Sequence, residues 1–185
     1  MVEIGIIVGS TREGRFGIQP ATWLYEIARQ RGDASVHLLD LRDYPLPHFG
    51  EPAPANARAD EWRAVIDRLD GFLIVTPEYN HSTSGVLKNA IDVAGQGWFH
   101  KPASFASYGG VAGGTRAVEH LRGIMGEVRV FDLREQFVMS NAHVRRDTGG
   151  NYAFSDAEVT AANVVLDQLI FWSRHMKPAR AELNG

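Results

Sequence analysis

The sequence predicts an α/β protein with a doubly wound parallel sheet, and three observations support this fold class. Five short apolar runs have the length of buried strands, and segments with helical periodicity separate them. Strands that alternate with helices in this way form parallel sheets that helices cover on both faces. Unusual loops, rich in glycine or containing proline, follow the first, third and fourth runs. In such a sheet, ligands bind beyond the carboxyl ends of the strands, where these loops lie.

The five predicted strands share an apolar character that is unbroken by a helical repeat. They comprise residues 4–8, 35–39, 71–76, 102–107, and a fifth strand that begins at 128–131 and resumes at 136–139.

The predicted helices follow the strands in alternation, with apolar residues on one side of each segment. They comprise residues 17–31, 58–69, 84–98, 115–125 and 156–175. Pro20 fits the first of them because proline is tolerated in the first turn of a helix. Ser155 and Glu158 have the spacing of a capping box, which marks the start of the last helix.

Composition excludes several classes of site. The chain has no cysteine, so it forms no disulfide, iron–sulfur centre, thiolate zinc site or cysteine nucleophile. The formal net charge of −3 gives no basic surplus, and we expect no nucleic-acid partner. The seven histidines show no metal-ligand spacing, so no metal site is predicted. We also expect a cytoplasmic protein without a membrane partner, because no apolar run approaches a membrane span and no signal peptide is recognisable.

The first loop, residues 9–17, has the composition of an anion-binding turn. Gly9 and Ser10 allow a close approach of the backbone, while Arg12 and Arg15 supply positive charge. The helix that follows offers unpaired N–H groups and the positive end of its dipole, which favour a phosphate group.

Two better-known phosphate motifs do not fit this loop. Its glycine spacing matches that of a P-loop, but Arg15 and Phe16 stand where a P-loop has Lys and Ser or Thr. The dinucleotide fingerprint G-x-G-x-x-G is absent as well. A cradle for a single phosphate remains, with a tight turn that carries two solvated arginines as the alternative.

The second loop, residues 76–85 (TPEYNHSTSG), is suited to a flat ring. Pro77 fixes the backbone, Tyr79 offers an aromatic face, and Asn80 tolerates the unusual backbone angles of a sharp turn. Glu78 is interpreted as a solvated carboxylate rather than an acid or base. The serines near the end of the loop are candidates for the cap of the next helix.

The third loop, residues 107–116 (SYGGVAGGTR), holds four glycines within six residues. This density indicates positive φ angles or a close approach of the backbone to a ligand, whereas the alternative is a flexible connector. Because the carboxyl ends of parallel strands meet at one edge, we expect all three loops to converge there.

The segments GSTREGR, TPEYNHSTSGVLKNAID and SYGGVAGGTRAVEHLR resemble the NAD(P)H-dependent FMN reductase family, which includes quinone, chromate and azo-dye reductases. The resemblance covers roughly residues 1–140. The length of 185 residues predicts a single domain over residues 1–185, and the resemblance implies that it is a flavodoxin-like three-layer sandwich with strand order 2-1-3-4-5. The resemblance further implies FMN held without a covalent bond, NADPH or NADH as a transient donor, and a homodimer or homotetramer.

The resemblance also assigns cofactor-binding residues. Those expected to hold the FMN phosphate are Ser10, Thr11 and Arg12, with Arg15 and Gly17 nearby. Those expected to line the isoalloxazine ring are Pro77, Glu78, Tyr79 and Asn80 on one side and Ser107, Tyr108, Gly109 and Gly110 on the other. Many relatives carry Ser and Asn where this chain has Arg15 and Gly17.

The implied activity is a two-step transfer, in which a reduced nicotinamide gives hydride to FMN and a small acceptor then takes the electrons. Quinone, flavin, azo compound and metal oxyanion all remain open as acceptors. No side chain has to act as acid or base in the hydride step, so no catalytic residue is predicted. Two alternatives are a flavodoxin-type electron carrier, which the mild net charge disfavours, and a flavin-free interaction module. The sequence assigns no role to residues 45–54 and 145–155.

Overall fold

A five-stranded parallel sheet forms the centre of the computed structural model, which describes residues 1–54 and 57–184. The strands are β1 (Glu3–Val8), β2 (Ser35–Asp40), β3 (Gly71–Pro77), β4 (Pro102–Tyr108) and β5 (Phe131–Met139). Their order is β2-β1-β3-β4-β5, and every neighbouring pair is parallel. The predicted flavodoxin-like sheet and its strand order are therefore confirmed.

Helices cover both faces of the sheet. They are α1 (Ile18–Arg31), α2 (Ala59–Arg68), α3 (Gly85–Ala94), α4 (Thr115–Glu127) and α5 (Asp156–Asn184). The buried side chains of α1 and α5 form one apolar cluster with the sheet, and those of α2, α3 and α4 form another on the opposite face. Within the described part of the chain, no helix combines the length and the apolar character needed to cross a membrane.

The first strand shows why its sequence is continuously apolar. Ile4, Ile6 and Val8 point into the cluster of α1 and α5, whereas Ile7 points into the cluster on the other face. Side chains alternate between the faces of a strand, and here both faces are buried. Each of these buried aliphatic side chains contributes about 1.5–3 kcal/mol relative to an exposed one.

The last helix is longer than predicted. It continues through Pro178 to Asn184 instead of ending at residue 175. Lys177 and Arg180 donate to the carboxylate of Asp70 over 2.7 and 2.6 Å. This carboxylate is 2% exposed and precedes β3, so the extension is tied to the sheet by a contact between distant segments.

The start of the fifth strand is also corrected. The strand begins at Phe131 rather than at residue 128, because the preceding residues end α4 in a tight turn. The Val130 N–H donates to the Met125 carbonyl, and Arg129 takes a left-handed conformation with φ of 52°. The strand then runs without a break, and its pairing with β4 shifts register between Ala103 and Phe105.

Candidate functional site

The three unusual loops meet at the carboxyl edge of the sheet, as predicted. Hydroxyl groups of Ser10 in the first loop and Tyr79 in the second share a hydrogen bond of 2.8 Å. The Glu78 N–H donates to the Tyr108 carbonyl over 3.1 Å, which joins the second loop to the third.

Ser84 adds a second link between the first two loops. Its hydroxyl caps α3 by accepting from the Leu87 N–H, and it also donates to the Gly9 carbonyl. The predicted serine cap is confirmed. A side chain that would serve only the helix therefore also fixes the entrance to the first loop.

The first loop is held in shape by a residue that sequence reasoning missed. Arg42, just beyond β2, donates to the carbonyl groups of Thr11 and Arg12 over 3.1 and 2.6 Å. Asp40, the last residue of β2, accepts from the Arg42 N–H over 3.0 Å. Neither residue lies in a recognisable motif, and Arg42 is 31 and 30 positions from the two carbonyl groups that it binds, so no local signal marks this contact.

Arg15 lies inside the site. Its side chain is 5% exposed and forms an ion pair with Asp40 through Nη2. Its Nε and Nη1 atoms are buried and have no hydrogen-bond partner. A buried donor without a partner is costly, and an anion beside the loop would supply one. The alternative of a turn with two solvated arginines is thus wrong for Arg15, whereas Arg12 is exposed.

The Tyr108 side chain fills the space that a side chain at position 17 would need. A Cβ atom at Gly17 would lie 2.5 Å from the Tyr108 hydroxyl oxygen and 3.0 Å from two ring carbons. The Tyr108 ring also packs edge-on against Phe16, with 5.2 Å between ring centroids. Burial raises the pKa of Tyr108 above its usual value, because the phenolate form would lose hydration. The hydroxyl of Tyr108 therefore stands where a side chain at position 17 would be.

Glu78 is not a solvated carboxylate, so that interpretation was wrong. Its side chain is 7% exposed and forms an ion pair with Arg116. Nε of Arg116 donates to the carboxylate over 2.6 Å, and Nη1 lies 2.9 Å from the His81 ring. Asn80 and His81 have φ of 50° and 66°, which is the sharp turn expected of Asn80. Pro77 ends β3 and is buried.

The glycines of the third loop meet different structural requirements. Gly113 and Gly114 have positive φ angles, and a Cβ atom at Gly114 would lie 2.8 Å from the Tyr108 nitrogen. The buried Ser107 hydroxyl donates to the Gly113 carbonyl over 2.9 Å, so this side chain shapes the loop from inside. Gly110 is exposed and has open space where a Cβ would stand, which leaves room for close approach of a ligand.

Two cavities flank Tyr79. One, of about 420 Å³, is lined by residues of the first loop and of the start of α3. The other, of about 290 Å³, lies toward the third loop and includes Tyr108 and Gly109 in its lining. Arg12 lines both, so the exposed arginine stands between two openings at the same edge of the sheet.

Comparison with known proteins identifies the family. A family model described as NADPH-dependent FMN reductase matches residues 2–144. The chain belongs to this family. Membership confirms the predicted resemblance, and it implies FMN as the cofactor with NAD(P)H as the donor.

Individual relatives agree with this placement. A 2-hydroxy-1,4-benzoquinone reductase from Burkholderia sp is 31% identical over 182 residues, which cover 94% of this chain and 97% of the relative. An NAD(P)H-dependent FMN reductase from Schizosaccharomyces pombe is 34% identical over 133 residues, which cover 66% of each chain. The structure of a flavoenzyme NAD(P)H:(acceptor) oxidoreductase from Paracoccus denitrificans has the same fold, with a TM-score of 0.75 and 24% identity over 95% of this chain and 99% of that one.

The segment beyond the family match is anchored to the first turn of α1. Nε2 of Gln19 donates to the Gly150 carbonyl over 2.8 Å, and the Tyr152 N–H donates to the side-chain oxygen of Gln19 over 3.0 Å. The sequence assigned no role to residues 145–155. In this FMN reductase family member the segment is held against the first turn of α1, directly after the loop that is predicted to bind phosphate.

Proposed function

We propose that the chain is an FMN-dependent NAD(P)H oxidoreductase that passes hydride from a nicotinamide cofactor to a small acceptor. One observation carries the proposal. In a member of the FMN reductase family, an arginine-containing first loop meets the two loops suited to a flat ring at one edge of the sheet. The quinone reductase relative from Burkholderia sp supports a quinone as the class of acceptor to test first.

The residues present fit a flavin phosphate. The side chain of Arg15 is more than nine-tenths buried, and two of its nitrogens, Nε and Nη1, have no hydrogen-bond partner, so an anion would complete its hydrogen bonding. We assign the phosphate to the side chains and N–H groups of the first loop, and the ring to the second and third loops. The proposed phosphate-binding residues are Ser10, Thr11, Arg12, Arg15 and Gly17. The proposed ring-binding residues are Pro77, Glu78, Tyr79, Asn80, Ser107, Tyr108, Gly109 and Gly110.

When bound, FMN supplies the centre that accepts and donates hydride, and the protein supplies binding, orientation and electrostatics. The ion pair between Glu78 and Arg116 holds the second loop against α4. Ser107 fixes the third loop from inside, and Gly110 leaves its outer surface open. These residues therefore orient a ring and leave one face accessible, and none of them has to carry a proton in the hydride step.

The proposal extends to assembly and location. We expect a single domain over residues 1–185 that assembles as a homodimer or homotetramer in the cytoplasm. Size-exclusion chromatography with light scattering measures the assembly: a mass of two or four chains is expected, and a monomer at micromolar concentration would contradict this part of the proposal.

Anaerobic flavin reduction distinguishes the proposed enzyme from an electron carrier and from a flavin-free module. Purified protein is mixed with FMN, freed of excess flavin, and titrated with NADPH and, in a separate sample, NADH. The proposal predicts retained flavin whose absorbance is bleached by at least one of the two donors and restored by a quinone. Bound flavin that both donors leave oxidised would indicate an electron carrier. Protein that retains no flavin would indicate a flavin-free module.

A further inference from the structure

A cavity rich in arginine lies between the first loop and the segment that follows β5. It has a volume of about 290 Å³, and Arg12, Arg15 and Arg146 all line it. In residues 1–54 and 57–184, seven buried side-chain polar atoms have no hydrogen-bond partner. Four of the seven belong to lining residues of this one cavity: Nε and Nη1 of Arg15, Nε of Arg146 and the hydroxyl oxygen of Tyr108.

The charge of the lining is one-sided. No Asp or Glu is among the described residues that line the cavity, and Asp40 neutralises only Arg15 from outside it. Buried N–H donors and unpaired charge are both costly, and one anion would satisfy them together. Guanidinium groups at this density are typical of sites that bind phosphate, because each presents paired N–H donors to two oxygens.

Arg146 is held in place rather than free. Its guanidinium carbon lies 4.7 Å from the centroid of the Phe16 ring, in the first loop. Its backbone pairs with Tyr152, and this turn is closed by the Asp147 N–H, which donates to the Asn151 carbonyl over 2.8 Å. The turn is tied to α1 by the Gln19 contacts already described. A long side chain that is ordered in this way loses less freedom when it binds a ligand.

We propose that Arg146 is a direct ligand of the phosphate monoester of FMN, together with Arg15. The inference rests on the proposed function and adds a residue beyond the part of the chain that the family model matches. A phosphate monoester also occurs on the adenosine ribose of NADPH. The structure favours FMN, because the cavity is bounded by the first loop on one side and by Tyr108 and Gly109 of the third loop on the other.

Riboflavin separates a phosphate contact from a packing role, since it shares the ring and ribityl chain of FMN but lacks the phosphate. Dissociation constants for FMN and riboflavin are measured by quenching of flavin fluorescence. The variants are Arg146→Ala, Arg146→Lys and Arg134→Ala, the last a charge-matched control whose side chain is 93% exposed. We expect Arg146→Ala to weaken FMN binding about 10- to 100-fold and riboflavin binding less than twofold. Arg146→Lys keeps the charge but loses Nε, so its effect on FMN should be intermediate, and Arg134→Ala should change neither constant.

Several results would overturn the inference, and they are distinguishable from a failure of the proposed function. Unchanged FMN affinity in Arg146→Ala, or equal loss for FMN and riboflavin, would leave Arg146 a packing residue. A raised KM for NADPH but not NADH, with FMN affinity unchanged, would assign the cavity to the nicotinamide cofactor. Wild-type protein that binds neither flavin would refute the proposed function itself and this inference with it. If Arg146→Ala does not fold, the FMN-to-riboflavin ratio of Arg146→Lys makes the same decision.

Discussion

Replacing Gly17 with alanine tests the packing of the first loop against the third. Gly17 has φ of −56° and ψ of −21°, a conformation that alanine adopts without strain. The backbone alone would therefore favour alanine by about 0.4–1 kcal/mol, because alanine loses less conformational freedom on folding. The new Cβ atom would, however, lie 2.5 Å from the Tyr108 hydroxyl oxygen and 3.0 Å from two ring carbons.

The contact between the new Cβ atom and Tyr108 decides whether Gly17→Ala raises or lowers the free energy of unfolding. Tyr108 is buried and wedged against Phe16, so its ring has little room to move away. Overpacking of a buried site costs about 1–3 kcal/mol, which exceeds the backbone gain. We expect Gly17→Ala to lower the free energy of unfolding by about 1.3 kcal/mol, the difference between the middle values of these two ranges. In a Tyr108→Phe background the 2.5 Å contact is gone, so the loss should fall below about 1 kcal/mol.

Urea unfolding of the flavin-free protein, followed by circular dichroism, measures the free energy of unfolding of the wild type, the two single variants and the double variant. Gly123→Ala is the matched control, since Gly123 is exposed on α4 and its Cβ would meet no atom within 4 Å. The control should gain up to about 1 kcal/mol. Gly17→Ala that is as stable as the wild type, or that loses equally in both backgrounds, would refute the claim that Tyr108 fills the space at position 17.

Three further predictions concern binding, pH and burial. Arg12→Ala should weaken FMN binding by about 1–3 kcal/mol through loss of a charge-assisted contact. Unchanged FMN affinity in a fluorescence titration would contradict the assignment of Arg12 to the phosphate. Burial raises the pKa of Glu158, but hydrogen bonds from Arg145 and Tyr152 outweigh it and lower the pKa from 4.5 to about 2. This carboxylate therefore stabilises the fold above pH 4.5 and loses that contribution as the pH falls toward 2, and Glu158→Gln should flatten the pH dependence of the unfolding temperature in that window. Lys101 is 2% exposed and donates to two carbonyl groups at the end of α2, so Lys101→Met should cost about 1–3 kcal/mol in urea unfolding, and a stability equal to the wild type would contradict this capping role.

The sequence predicts those parts of the fold that depend on local pattern. Continuous apolar runs such as residues 4–8 mark strands that are buried on both faces, and alternation with helices then leads to a parallel sheet. The capping box predicted at Ser155 and Glu158 forms, with the Ser155 N–H donating to the carboxylate over 2.9 Å. The end of the last helix depends instead on Asp70, more than a hundred positions away, so the predicted end at residue 175 is wrong.

In the candidate site, too, some features could be predicted from the sequence and others could not. Convergence of the three loops follows from the parallel sheet, which local patterns indicate, whereas the strand order comes from the family resemblance alone. The partners of individual side chains do not follow from it. Arg15, in the loop after β1, forms an ion pair with Asp40 at the end of β2. Glu78 is buried together with an ion pair to Arg116 in α4. Arg146 reaches the first loop only because the segment after β5 folds back onto α1, and no periodicity or spacing in the sequence carries that information.

A crystal structure of the complex with FMN tests the central claim most directly. We expect the phosphate within hydrogen-bond distance of the Ser10 hydroxyl and the Arg15 guanidinium, with the ring between the second and third loops. Density for FMN elsewhere on the protein, or a phosphate that contacts neither Ser10 nor Arg15, would contradict it.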